Sequence, residues 1–226
     1  MRALQPAALV FEMIPQELED AANALRAEDA SREEIGVALD WEARGWPDFD
    51  LYAPILEAAP EARIFGAEQQ RASIGQALEE GAAAAFGPDA TKYGLDRDLD
   101  AGEQALREAM MQSAHCDALP EEMLPGMVEV QRLRDASLAD AALWARMLTG
   151  AEGQVVVITG SGHADRERGM PAKVALADPE VPVIVLGQLE GAPEEADGDS
   201  FDMVMLAPAP EREDPCAAFL DREGGG

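Results

Sequence analysis

Several residues in this chain have the type and spacing to do chemistry. His163 follows Gly160-Ser161-Gly162 directly after the aliphatic run Val155-Val156-Val157-Ile158. An imidazole there can ligate a metal or move a proton, or it can serve as a turn histidine bonded to backbone. Glu12 ends the run Val10-Phe11-Glu12, where a carboxylate acts as a site residue or as the partner of an arginine. Arg71 follows a strand-to-helix turn and can pair with Glu12. Arg166 and Arg168 could bind an anionic ligand or face the surrounding acids. Tyr52 and Tyr93 are the two tyrosines, and a phenolate can ligate iron. Gln131 and Asp135 lie one helical turn apart, and Asp135 interrupts an otherwise apolar stripe, which a solvated face would not require. His115, beside Cys116, reads as structural, and the two histidines lack the spacing of an HExxH zinc motif.

The elements that must position these groups alternate between strand and helix patterns. The pattern predicts an α/β fold with a mainly parallel central sheet flanked by helices and a helical middle section. Strands are expected over 8–11, 62–66, 155–159, 181–186 and 201–206. The 155–159 run is apolar on both faces and reads as a central, covered strand. In such sheets ligands sit beyond the carboxyl ends of the strands, which is where His163 and Glu12 fall. The glycines before His163 are expected to let the backbone turn sharply. Helices are expected over 15–27, from the Ser31-x-x-Glu34 capping box toward Trp41, and over 51–58, 69–80, 100–115 and 170–177. A long helix begins after Leu119-Pro120, with Met123, Leu124, Met127, Val128, Leu133, Leu138, Leu143, Trp144 and Met147 at three- and four-residue steps. The acidic stretch 190–200 reads as a solvent loop. One domain is expected over 1–206, followed by a loosely held tail over 207–226.

Composition narrows the partners. The chain has 226 residues, 47% hydrophobic, with a formal net charge of −28. Such acidity excludes the basic footprint that nucleic acid requires and disfavours anionic lipid. No apolar run is long enough to span a membrane. Cys116 and Cys216 permit one pairing without requiring it.

Taken in order, Val10-Phe11-Glu12-Met13, Trp46-Pro47 with Leu51-Tyr52-Ala53-Pro54-Ile55-Leu56, Ile64-Phe65-Gly66-Ala67 leading to Arg71, and His115-Cys116 before Leu119-Pro120 form a familiar series. Gln131-Arg132-Leu133-Arg134-Asp135-Ala136 and Gly160-Ser161-Gly162-His163 through Gly169-Met170-Pro171 continue it. Over about residues 5–187 the chain resembles the ChaN-like haem-binding uptake family, a branch of the Tiki/TraB group. The resemblance implies a bacterial envelope protein of haem or iron acquisition, periplasmic or outer-membrane-associated and often a lipoprotein. It implies haem held between two protomers with tyrosine ligation, so a homodimer is expected. Position by position, Gly160 and His163 match the second Gly-x-x-His motif of the wider group, Glu12 its strand glutamate and Arg71 its arginine. The family's first strand carries a Gly-Glu-x-His motif that no residue before Met1 supplies, so the chain reads as shortened at its start, without export signal or lipid anchor. Asp165 stands where the resemblance leads one to expect an arginine, and Arg166 could take that part.

The resulting expectation is a haem- or iron-binding protein using Tyr52, Arg71, Gly160, Gly162, His163 and Arg166 toward the cofactor. The alternative is a metal-dependent hydrolase in which His163 and Glu12 hold a divalent transition metal or act as catalytic groups. A third reading is a structural remnant with no ligand.

Overall fold

The computed structural model describes residues 3–150, 153–191, 200–209, 211, 216 and 217, and the chain divides into two compact units. The first comprises residues 1–70 and 137–160; the second comprises 71–136 and 161–226.

The first unit is built on strand β1, Ala8–Pro15, buried at every position except Glu12. A strand apolar on both faces must be covered on both faces. It lies between β2, Arg63–Glu68, and β3, Val155–Ile158, both parallel to it, in the order β2-β1-β3. Phe11 stands opposite Gly66 on one side and Ile158 on the other. Gly66 is required by close approach: a Cβ there would come within 2.2 Å of the Ile14 carbonyl oxygen. Helix α1, Glu19–Ala27, docks on β2 through Asn23, whose side chain accepts from the Ile64 amide and donates to its carbonyl. Helix α2, Arg32–Ala38, begins at the capping box read from Ser31 and Glu34. Helix α3, Ala53–Glu57, follows a short 3-10 turn at Phe49–Leu51.

The second unit holds α4 (Arg71–Glu80), α5 (Ala82–Phe86), α6 (Ala101–Ala114), α8 (Ser161–Ala164) and α9 (Met170–Ala177). The long helix α7, Leu124–Thr149, begins in this unit and ends in the first. From Arg132 to Ala139 every residue but Arg134 is buried, so the middle of α7 has no solvated face, whereas Met123, Trp144 and Met147 are exposed near its ends. Buried Arg132 donates to the Gly94, Leu95 and Arg97 carbonyls and pairs with Glu129, fixing the turn before α6 against α7. Strands β4, Leu186–Glu190, and β5, Met203–Ala207, form a separate two-stranded parallel sheet.

Among the described residues the α/β class stands, with every strand pair parallel. Three expectations are corrected. β1, not the 155–158 strand, is central; among the described residues β3 pairs only with β1, and it is half-buried throughout. The strand expected at 181–186 begins only at Leu186, because Pro182 cannot donate to a ladder and Val185 is engaged instead by Asp202 and Met203. Neither Gly160 nor Gly162 has a positive φ, and His163 sits in a helical turn rather than a glycine-dependent bend. The loop expected at 190–200 and the tail at 207–226 lie mostly outside the described residues. Cys116 and Cys216, 100 positions apart, form a disulfide within the second unit. No described helix is long and apolar enough to cross a membrane.

Candidate functional site

In the first unit, Glu12 and Gly160 come together at the carboxyl ends of β1 and β3. Glu12 Oε2 accepts from Thr159 Oγ1 at 2.7 Å and from the Gly160 amide at 2.9 Å. These bonds stitch two adjacent strand ends at the position where α/β sheets present ligands.

Tyr52 lies in the same unit, between the Phe49–Leu51 turn and α3. Its ring leans on Trp41 with centroids 4.9 Å apart, and Phe49 meets the same indole edge-on at 5.1 Å. Trp41 is anchored by donation from Nε1 to the Pro47 carbonyl at 2.6 Å. Tyr52 is half-buried, and its hydroxyl makes no hydrogen bond among the described residues. Beside it Leu51 is 69% exposed, and Val37, on the helix packed against the same turn through Gly36 and Phe49, is 71% exposed. Arg32 opens that helix and bonds Glu57 of α3.

In the second unit, His163 meets the two α7 residues singled out by spacing. Its Nδ1 lies 2.7 Å from Asp135 Oδ1 and 3.0 Å from Gln131 Nε2. Asp135 is wholly buried and His163 nearly so. Burial pushes the Asp135 carboxyl above its ordinary range, opposed by the bond to His163 and by the charges of Lys173 and Arg107. Lys173 is itself buried, donates to the Tyr93 carbonyl, and is pulled down to about 8 by desolvation and by Arg132. A Cβ added at Gly162 would meet the same Gln131 amide at ordinary contact distance. Gly169 packs so closely on the His163 carbonyl that a Cβ would fall 2.3 Å from its oxygen. No sequence signal pointed to Lys173.

The remaining predicted residues are placed differently. Arg71 is exposed at the first position of α4 and makes no ion pair among the described residues. Arg166 pairs with Asp202, and Arg168 lies near Glu103, Asp165 and Glu167, so both guanidinium groups are matched by acids. Asp165, found where an arginine was expected, is buried and accepts from the Glu167 and Arg168 amides and from Ser200 Oγ. Tyr93 is wholly buried against Phe86. His115 Nδ1 donates to the Met111 carbonyl at the end of α6, the structural role expected of it. Among the described residues no group of three or more His, Cys, Asp or Glu side chains is clustered to hold a metal ion.

Comparison with known proteins agrees with this architecture. The family model described as haem-binding uptake, Tiki superfamily, ChaN matches residues 1–174. The solved structure titled cofacial heme binding to ChaN, from Campylobacter jejuni, aligns with a TM-score of 0.62 at 18% identity, over 87% of this chain and 72% of that one. At that identity the likeness speaks for the fold. No curated protein matches the sequence. The match over most of the chain, on a parallel α/β framework of the same fold, makes this protein a member of the ChaN haem-binding uptake family of the Tiki superfamily.

Proposed function

We propose that the protein binds haem in the bacterial envelope, in haem or iron uptake, with Tyr52 as the iron ligand. The observation that carries this is the Tyr52 hydroxyl, without a hydrogen bond among the described residues, on a ring packed on Trp41 and next in the chain to exposed Leu51. The donor set suits the cofactor's iron and ring: a phenol oxygen suits ferric iron, and an exposed aliphatic side chain suits the porphyrin face. Tyr93 is sealed from solvent and does not compete for this role. Family membership and the cofacial haem pair named for the Campylobacter protein support the reading and favour a homodimer. The Cys116–Cys216 disulfide favours an oxidising compartment.

Titration of the full chain with haemin, followed in the Soret band, tests the proposal. Saturable binding is expected; a flat titration, or one indistinguishable from haemin alone, refutes it.

A second reading, a metal-dependent hydrolase, is favoured by one observation. Metal-binding histidines characteristically give their other ring nitrogen to a carboxylate, as His163 does to Asp135. In that reading His163 holds the metal or moves the proton. Metal analysis of purified protein showing no bound transition ion, and no ion taken up on incubation with Zn2+, would remove it.

A further inference from the structure

Two polar atoms of α7 are sealed from solvent without a hydrogen-bond partner among the described residues: Arg132 Nε and Asp135 Oδ2. Arg132 is 4% exposed and Asp135 0%. Three positions apart, they share a face of the helix. Lys173 of α9, 7% exposed, reaches the same place through a shared turn. The 3-10 turn Ala90–Tyr93 and the glycine after it present consecutive carbonyls: Lys173 Nζ donates to that of Tyr93 at 3.2 Å, and Arg132 Nη2 to that of Gly94 at 3.2 Å. Leu176, three positions after Lys173, rests on Gly94, where a Cβ would fall 3.2 Å from its Cδ1. Two buried cations therefore sit side by side. An ammonium has three hydrogens, and the Tyr93 carbonyl is the acceptor Lys173 finds among the described residues. Lys173 and Asp135 feel each other's charge, yet no ion pair joins them among the described residues. A gap thus separates one buried acceptor from two buried donors. Interior groups left in this way are costly, and proteins commonly meet them with water.

We propose that this gap is a binding site for one internal water molecule, held by Arg132 Nε, Lys173 Nζ and Asp135 Oδ2. The Arg132 Nε–H and one Lys173 hydrogen donate to its oxygen, and it gives a hydrogen to Asp135 Oδ2. About three bonds is the usual number for a buried water. Water can turn to accept from Oδ2 instead, so occupancy does not rest on the charge of Asp135. A halide fits less well, because it only accepts and would sit near Glu129, the carboxylate already paired with Arg132. Bound there, the water joins the middle of α7 to α9 and, through Asp135, to the His163 side chain. The inference stands apart from the haem reading, since it concerns the interior of the second unit and no cofactor.

A high-resolution crystal structure of the full chain, grown with sodium bromide as the only halide salt, tests the site. One oxygen-like peak is expected about 2.7–3.2 Å from Arg132 Nε, Lys173 Nζ and Asp135 Oδ2, with no anomalous bromide signal. The absence of a peak, a bromide peak in its place, or a direct bond between Lys173 and Asp135 overturns the proposal. Oxygen-17 relaxation dispersion, which counts long-lived internal waters in solution, gives an answer independent of crystals. Lys173→Met keeps the length of the side chain but donates nothing, and is expected to hold one long-lived water fewer than wild type. An equal count in the two proteins overturns the proposal.

Discussion

Glu12 on the central strand accepts a hydrogen bond from the Gly160 amide just beyond the neighbouring strand, at 2.9 Å, and a second from Thr159 at 2.7 Å. One side chain thereby satisfies a backbone donor and a hydroxyl where β1 and β3 end. Glu12→Ala removes the acceptor of both bonds and is expected to cost about 1–2 kcal/mol, since the Gly160 amide is exposed and water can replace the lost partner there. Glu12→Gln retains an acceptor oxygen and is expected to lose less than half as much. Urea denaturation of the three proteins checks the order; equal stability of Glu12→Ala and wild type would contradict it.

The buried Asp135–His163 pair is expected to behave as a coupled unit. His163→Ala leaves a carboxylate of 0% exposure without its bonded partner. Removing one member of a buried pair costs about 3–5 kcal/mol. Asp135→Leu combined with His163→Ala removes the stranded polar group and is expected to be less destabilising than the sum of the single changes by about 1 kcal/mol or more, the size seen for contacting residues. Additive single and double changes, measured by denaturant unfolding, would show the two groups to be independent.

Lys173 gives the protein a pH signature. Its folded-state pKa lies at about 8 against an ordinary 10.5. Below about 8 both folded and unfolded chains carry the proton, and the cost of burying the charge is fully present. Between about 8 and 10.5 the folded chain releases the proton first, so stability should rise with pH, with a slope of at most about 1.4 kcal/mol per pH unit from this group. Lys173→Met is expected to be more stable than wild type at pH 7, with the difference closing toward pH 10.5. A constant difference across that range would show that the lysine is not desolvated in the folded chain.

Reduction of the Cys116–Cys216 disulfide should destabilise the second unit. It closes a loop spanning 100 positions, for which the chain-entropy model gives about 4–5 kcal/mol and measured removals typically about 2–5 kcal/mol. The Cys116→Ser, Cys216→Ser double variant is expected to unfold at lower urea concentration than the oxidised protein and to match the reduced wild type. No change in midpoint on reduction would contradict this.

Sequence patterns located most elements because local rules decide them. The aliphatic runs at 8–11 and 155–158, the Ser31–Glu34 capping box and the apolar steps of α7 all carry their own signal. Asp135 was legible for the same reason: an acid on an apolar stripe needs a buried partner, and it has one in His163. What pattern could not give was pairing order. An aliphatic run does not reveal whether it is central or at an edge, and β3 proved to pair only with β1 among the described residues. Pro182 should have weakened the strand expected at 181–186, since a missing N–H leaves a gap in any ladder. Arg132 on three carbonyls, Lys173 under Tyr93 and the cysteine pairing depend on contacts remote in sequence, which spacing does not encode. Arg166 and Arg168 suggested an anion site, yet the acidic chain supplies their counter-charges itself.

The phenol of Tyr52 is the point on which the functional account turns, and vibrational spectroscopy reads it directly. Resonance Raman spectra of the ferric haemin complex should show phenolate modes in wild type and in Tyr93→Phe. In Tyr52→Phe those modes should be lost, and haemin should bind about tenfold more weakly or worse, a difference of about 1.4 kcal/mol or more. Phenolate modes that persist in Tyr52→Phe, or that are absent from the wild-type complex, would contradict the assignment of Tyr52 as the ligand.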